Sequence, residues 1–302
     1  MKRKTVLILG AGASSHLRFP LGDGLREKIF DVLLEPNSNP IGRLLLQAGY
    51  DGNRLMKFRQ QFLVSGSMSV DAFIQEWPDW EREGKATIAA FLLQAETDSL
   101  HLMYETPEWY RTVSHAIKDH DSLWSDHLSI ITFNYDRSLE HYLRTALPAA
   151  RNVESSILEE RIQRLEILHF YGDLGSIWKQ RVDGIEYGVH DHTHIEPAAE
   201  SIHLIGRSDK AKEASSRAME LWRGAQLVVF LGFGYHDENL KRLGFEGMGF
   251  WDANAKPPKF ELLTPGLTRV RRPYVERAFA GFNVSMHDLK IQDFLNNFDL
   301  FA

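Results

Sequence analysis

The chain has no cysteine at all. That absence removes disulfides, thiol nucleophiles and every cysteine-ligated zinc or iron–sulfur centre in one step. No stretch approaches the roughly 18 consecutive apolar residues of a membrane span, and there is no internal repeat or low-complexity tract. The basic start, MKRK, precedes an apolar run from Val6 to Leu9. That run is shorter than the roughly 7–15 residues of a secretion-signal core, and His16 and Arg18 follow soon after it. The expectation is a soluble, cytoplasmic protein without a membrane partner. An excess of positive charge is missing too: 35 Lys and Arg stand against 41 Asp and Glu, a formal net charge of -6. No global basic field draws nucleic acid. Direct nucleic-acid binding is not expected, although a local basic patch stays open, for instance around Arg269, Arg271 and Arg272.

The 302 residues, 43% of them hydrophobic and 25% charged, are enough for a large core with room for an insertion. Val6 to Leu9 reads as a parallel strand covered on both faces. Gly10 and Gly12 follow, and glycines there let the backbone approach a phosphate closely. The dinucleotide fingerprint of dehydrogenases requires a helix directly after such glycines. Here Ser14, Ser15, His16, Arg18 and Pro20 intervene. The first good helical pattern, Leu25, Ile29, Val32 and Leu33, starts only after Gly22-Asp23-Gly24.

Strand and helix signals alternate at both ends of the chain but not between about 41 and 125. That middle part is rich in helix formers and carries four of the seven tryptophans, Trp77, Trp80, Trp109 and Trp124. The pattern predicts an α/β domain over 1–40 and 126–302, a Rossmann-like doubly wound parallel sheet, with a helical insertion over 41–125. Further strands are expected in LSIITF (128–133), LEILHFYG (165–172), SIHLI (201–205), QLVVFLG (226–232), KFELLT (259–264) and NVSMH (283–287). Helices are expected from about Arg137, up to about Trp222 and from Asp288.

In open parallel sheets ligands bind beyond the carboxyl ends of the strands. Three of those ends carry unusual polar residues: Asn134-Tyr135-Asp136, then His169 with Tyr171 and Gly172, then Gly232-Phe233-Gly234 with His236, Asp237 and Asn239. Each has a plain structural explanation as well: Asp136 can cap the next helix, Gly234 can turn the chain, and an isolated histidine is more often a satisfied core residue than a catalyst. Two rival clusters stand beside them. In VHDHTHIE, His190, His192 and His194 share one face if the segment is extended, with Glu196 near, a spacing that suits zinc. In ASSHLRF a serine adjoins a histidine, but neighbours on a turn rarely point together and no third group is identifiable.

The ordered set Gly10-Ala11-Gly12-Ala13-Ser14, Thr132-Phe133-Asn134-Tyr135-Asp136, His169 to Gly172 and Gly232-Phe233-Gly234 resembles the sirtuin-like NAD-binding fold. More narrowly it is similar to the bacterial sirtuin-like NADases of antiphage defence, in which a GAG-[AV]-S turn is followed by Pro-x-Gly-x-x-Leu, here Pro20 to Leu25. The resemblance covers most of the α/β part and leaves the insertion aside. It implies a sheet of sirtuin type, NAD+ as substrate and no metal. It further implies ligand contacts from Gly10, Ala11, Gly12, Ala13, Ser14, Pro20, Asp136, Tyr171, Gly172, Gly232, Phe233, Gly234 and Asn239. Asn134 is implied to place the attacking water, and a histidine to assist it. Nicotinamide leaves as a neutral molecule from a cationic pyridinium, so the enzyme chiefly stabilises an oxocarbenium-like ribose and presents water to it.

In the family the histidine directly precedes the glycine, whereas Tyr171 does so here. Period-two geometry puts His169 on the same face as Tyr171, two residues earlier, and either one can hold the working position. Deacylating sirtuins carry a four-cysteine zinc ribbon, so a deacylase or ADP-ribosyltransferase ranks behind the NAD+ glycohydrolase. A non-hydrolytic NAD or ADP-ribose sensor gating a partner is the main alternative. The resemblance also implies a homo-oligomer, with a HerA-class ring ATPase or a short Argonaute protein as companion, and surface tryptophans of the insertion suit such contacts.

Overall fold

Six short apolar runs flanked by polar turns build one sheet. They are β1 (Thr5–Leu9), β2 (Leu128–Thr132), β3 (Glu166–His169), β4 (Leu227–Leu231), β5 (Lys259–Leu263) and β6 (Asn283–His287). The computed structural model describes residues 3–105, 109–119, 127–151, 162–177, 184–203, 209–245 and 256–300. All strand pairs are parallel and the spatial order is β3-β2-β1-β4-β5-β6. This is the doubly wound Rossmann-like order, with its switch point between β1 and β4.

Side chains alternate across the pleat, so each strand feeds two cores. Leu7, Leu9, Ile130, Val229 and Leu231 enter one cluster, which also holds Phe58, Phe62, Leu93 and Trp109. Val6, Ile8, Ile131, Val228 and Phe230 enter the other, built with Trp222, Phe245, Phe260 and Phe279.

After α1 (Gly22–Val32) the described residues form α2 (Pro40–Gln47), α3 (Gly52–Ser65), α4 (Val70–Glu76), α5 (Glu81–Glu105) and α6 (Trp109–Asp119). Side-chain caps start three of them, since Asn39, Asp51 and Ser69 accept from the backbone N–H groups of Gly42, Arg54 and Ala72. In α5, Ile88 to Leu93 are buried without interruption, which marks a helix packed on all sides rather than on one stripe. The other helices among the described residues are α7 (Ser138–Arg151), α8 (Ile195–Ser201), α9 (Asp209–Arg223), α10 (Asp237–Arg242), α11 (Arg272–Ala278) and α12 (Ile291–Leu295).

Three expectations are corrected. SIHLI is not a strand: helix-forming residues carry α8 through Ser201, and Ile202 makes only an isolated bridge to Gly172. The rest of that stretch, 204–205, lies outside the described residues. The last helix begins at Ile291 rather than Asp288, because Lys290 is still extended. The glycine turn does enter a helix after all, a tight 3-10 segment from Ala11 to Leu17 that ends at Arg18 in the left-handed region (φ 63°).

A buried ion pair ties the helical stretch to the strand ends. Arg137 grips Glu96 of α5 through Nε (3.0 Å) and Nη2 (2.6 Å), and its Nη1 donates to the carbonyls of Gly175 and Ile185, both at 2.7 Å. The two side chains are 1% and 0% exposed. Burial pushes the Glu96 pKa up, while Arg137 opposes the shift. Glu96→Ala strands a buried guanidinium and is expected to lower stability by about 3–5 kcal/mol. The double variant Glu96→Ala/Arg137→Met should be milder, and urea denaturation of both compares the two losses.

Candidate functional site

At the switch point the turns that follow β1 and β4 lie backbone against backbone. Gly10 N donates to Leu231 O (3.1 Å) and Gly12 N to Gly232 O (3.0 Å). A Cβ on Gly10 or Gly12 would sit 2.6 Å or 2.9 Å from the Gly232 oxygen, and one on Gly232 would sit 2.1 Å from Ala13 N. Gly232 also has φ 61°. The sequence reading credits Gly10 and Gly12 with room for a phosphate. The first demand on them is instead the mutual contact of the two turns.

Above these turns opens a cavity of about 830 Å3, within the range of about 300–1,000 Å3 typical of ligand pockets. Gly10, Ala11, Gly12, Ala13, Tyr171, Gly232, Phe233, Gly234 and Asn239 line it, as do His16, Trp109, Phe133 and Lys290. Four of the anticipated contact residues stand elsewhere. Ser14 and Asp136 lie behind the lining. Pro20 opens on a separate groove with Leu17 and Lys28. Gly172, at φ 74°, packs against the Ser201 carbonyl, which a Cβ would meet at 2.1 Å.

The layer behind the lining is a hydrogen-bonded chain. Asn134 Nδ2 donates to Gly10 O (3.1 Å) and to Ser14 Oγ (3.2 Å), and Ser14 Oγ donates to Asp136 Oδ2 (2.8 Å). The other Asp136 oxygen accepts from the Ser138 amide (3.2 Å) and from the Ser138 hydroxyl. Burial pushes the Asp136 pKa up, and the Ser138 and Ser14 bonds counter it. From α6, Trp109 Nε1 donates to Ala13 O (2.8 Å).

Two titratable groups of the cavity wall, His16 and Tyr171, stay uncharged, while Lys290 and Asp293 also line it. His16 Nδ1 lies 3.1 Å from Ala13 O, and a carbonyl only accepts, so Nδ1 carries the proton. Burial lowers its pKa to about 4, against the Ala13 bond, and the ring is uncharged at neutral pH. Ser15 bonds back to Gly12 O at 2.8 Å, so the adjacent Ser15 and His16 each serve the turn and not each other. The Tyr171 hydroxyl donates to Asn239 Oδ1 (2.6 Å) and accepts from Arg242 Nη1 (2.5 Å). Burial raises its pKa to about 12, with Arg242 pulling the other way. Next to it, Tyr135 donates to Asp71 of α4.

His169 does not share a face with Tyr171. The strand β3 ends at His169 and the chain turns at Tyr171 and Gly172, so the alternation stops there. Tyr171 lines the large cavity, whereas the His169 ring lines a second cavity of about 220 Å3 with Glu140 and Asp173. Asn134 contributes no surface to the large cavity.

The other sequence candidates resolve as follows. His192–His194 is a 3-10 turn, which breaks the extended face supposed for His190, His192 and His194. Among the described residues no group of three His, Cys, Asp or Glu could hold a metal. Arg271 is engaged by Tyr235 O (2.7 Å) and Asp237. Trp109, counted among possible surface contacts, is 1% exposed, while Trp77 is 43% exposed. Trp124 lies outside the described residues. No described helix is long and apolar enough to cross a membrane. The sequence reading missed Arg242, Lys290 and the cavity role of Trp109, which come from distant segments and carry no motif spacing.

No family model and no curated protein matches the chain. Solved structures do align with it. Sir2Tm bound to a propionylated peptide covers 98% of this chain and 91% of its own length at 12% identity and a TM-score of 0.41. A Sir2 homolog–NAD complex gives 98%, 87%, 13% and 0.42.

The turn contact generates a test. Gly232→Ala combines a positive φ with a backbone collision and is expected to lower stability by more than about 1 kcal/mol. Gly24→Ala, in α1 with nothing within 4 Å of the added Cβ, should be neutral or stabilising. Thermal denaturation of the pair checks the contrast.

Proposed function

We propose that this cavity binds NAD+ and that the protein hydrolyses it to nicotinamide and ADP-ribose. The observation that carries the reading is the position of the cavity: it sits over the β1/β4 switch point, with two glycine turns as its floor. In this reading the backbone of Gly10 to Ala13 underlies the pyrophosphate, Lys290 supplies positive charge at the rim, and Phe133, Tyr171 and Trp109 form apolar walls. Asn134 stands one layer behind the lining with both amide hydrogens engaged by Gly10 and Ser14, and in this reading it orients the glycine turn against which the attacking water is placed. Such a water needs little basic help, because the leaving nicotinamide is neutral and the ribose cation draws the nucleophile.

A second reading rests on Tyr171. Where the resembling family has histidine, this chain has a phenol that stays protonated to about pH 12 and is tied to Arg242 and Asn239. That favours a protein that holds NAD+ or ADP-ribose without cleaving it. The sirtuin type of the sheet and the role as an effector of bacterial antiphage defence rest on the sequence resemblance. So do cytoplasmic action, assembly into an oligomer, and a HerA-class ATPase or short Argonaute companion. The exposed Met56, Leu63, Val64, Met68 and Trp77, all among the described residues, support contacts through the insertion expected over 41–125.

Incubation with NAD+ and no acyl peptide or other acceptor should release free nicotinamide and ADP-ribose. Binding by calorimetry without product identifies the sensor instead. Asn134→Ala should lower turnover by at least about 100-fold and also reduce thermal stability, since it strips Gly10 and Ser14 of their donor. Tyr171→Phe should stay within about tenfold of the parent. Undiminished turnover in Asn134→Ala would remove that residue from the chemistry.

A further inference from the structure

Both ring nitrogens of His169 face oxygen. Nδ1 lies 2.9 Å from the main-chain carbonyl of Asn134, and Nε2 lies 2.5 Å from Oε1 of Glu140 on α7. A carbonyl can only accept, so Nδ1 carries a proton, and the carboxylate draws a second proton to the Nε2 side. The ring is 8% exposed and fixed between the two partners. His169 does not line the large cavity, and its Nδ1 partner is the Asn134 main chain.

We propose that Glu140 and His169 form a positioning device for the candidate site: the doubly protonated ring clamps the Asn134 carbonyl, so that the Asn134 amide reaches Gly10 and Ser14 and holds the glycine turn in place. The device extends the hydrolase reading above and rests on it for its kinetic consequence alone. The remaining groups that face the ring agree with a cation there. Arg137, just before α7, lines the same cavity, but its charge is matched by Glu96, and Asp173 from the loop after β3 adds a second carboxylate. Burial works against the charged ring, yet Glu140, Asp173 and the Asn134 carbonyl outweigh it and hold the pKa at about 9.

Protonation then decides whether the clamp is closed. A neutral imidazole has one N–H, and the carboxylate is the stronger acceptor, so the Asn134 carbonyl is the partner that loses its donor. The turn is thus held firmly at neutral pH and released as the pH rises through about 9. The sign is the same for stability. A histidine whose pKa is raised on folding contributes fully below its ordinary value of about 6.5 and progressively less up to the folded value.

The test uses the full chain labelled uniformly with 15N. At pH 7 both His169 ring nitrogens should be protonated and should titrate near pH 9, with the Asn134 side-chain amide signal moving at the same midpoint. Glu140→Gln should bring that midpoint down by at least about one unit. The alkaline limb of kcat for NAD+ should follow it down. His169→Gln, which can still give one N–H to the Asn134 carbonyl, should keep turnover within about tenfold and lose the limb. His169→Leu should lose about 100-fold. A neutral His169 at pH 7, or an alkaline limb that ignores Glu140→Gln, overturns the device. A parent protein inert towards NAD+ whose His169 and Asn134 signals titrate together near pH 9 overturns the hydrolase reading and upholds the clamp.

Discussion

The contact on which the rest depends is the crossing of two bare backbones at the switch point. Gly10 and Gly12 meet Gly232 with room for a hydrogen and nothing larger. Because the chain leaves β1 and β4 towards opposite halves of the sheet, a crevice must open directly above that contact. The glycines therefore set both the floor of the cavity and its location. A side chain at any of the three would separate the strand ends that define it.

A floor made of unadorned backbone has no side chains with which to fix itself, and its neighbours supply the fixing. The Asn134 amide holds the Gly10 carbonyl, Ser14 is held between Asn134 and Asp136, and Trp109 takes the Ala13 carbonyl. Two of these groups come from the end of β2 and one from α6, so the turn is anchored from both sides. Helices of the central stretch reach the same region through Asp71 on Tyr135 and Glu96 on Arg137. One hydrophobic cluster runs from Leu7 and Leu9 through Phe58, Phe62 and Leu93. Movement of those helices is thereby coupled mechanically to the strand ends.

The inner strands β1, β2, β4 and β5 were legible in the sequence because they are short, largely apolar and bounded by turns. The glycine turns and Asn134-Tyr135-Asp136 were legible because they follow such runs directly. His169 was misplaced by the same rule that found it. Period two holds only while the strand lasts, and β3 stops at His169, so Tyr171 turns to the other core. SIHLI misled in a similar way, since an apolar alternation of five residues says nothing about whether an open strand edge is there to receive it. Trp109, Arg242 and Lys290 could not be read at all. Their places are set by packing between segments far apart in the chain, and no local spacing encodes that.

The distribution of charge separates what touches a ligand from what holds the site. Ionic groups that burial makes costly stand behind the lining, each with a partner: Arg137 with Glu96, His169 with Glu140, and Asp136 with two serine hydroxyls. At the cavity surface His16 is held neutral and Tyr171 stays a phenol. For the proposed reaction this division has a chemical logic. A pyridinium loses its charge as nicotinamide departs, and a fixed charge beside it would bind the ground state and the transition state to different extents for reasons unrelated to the ribose. Lys290 and Asp293 also line the cavity, while the glycine turn that forms its floor is held by the Asn134 amide, and the Asn134 main-chain carbonyl is tied to a charged pair one layer deeper.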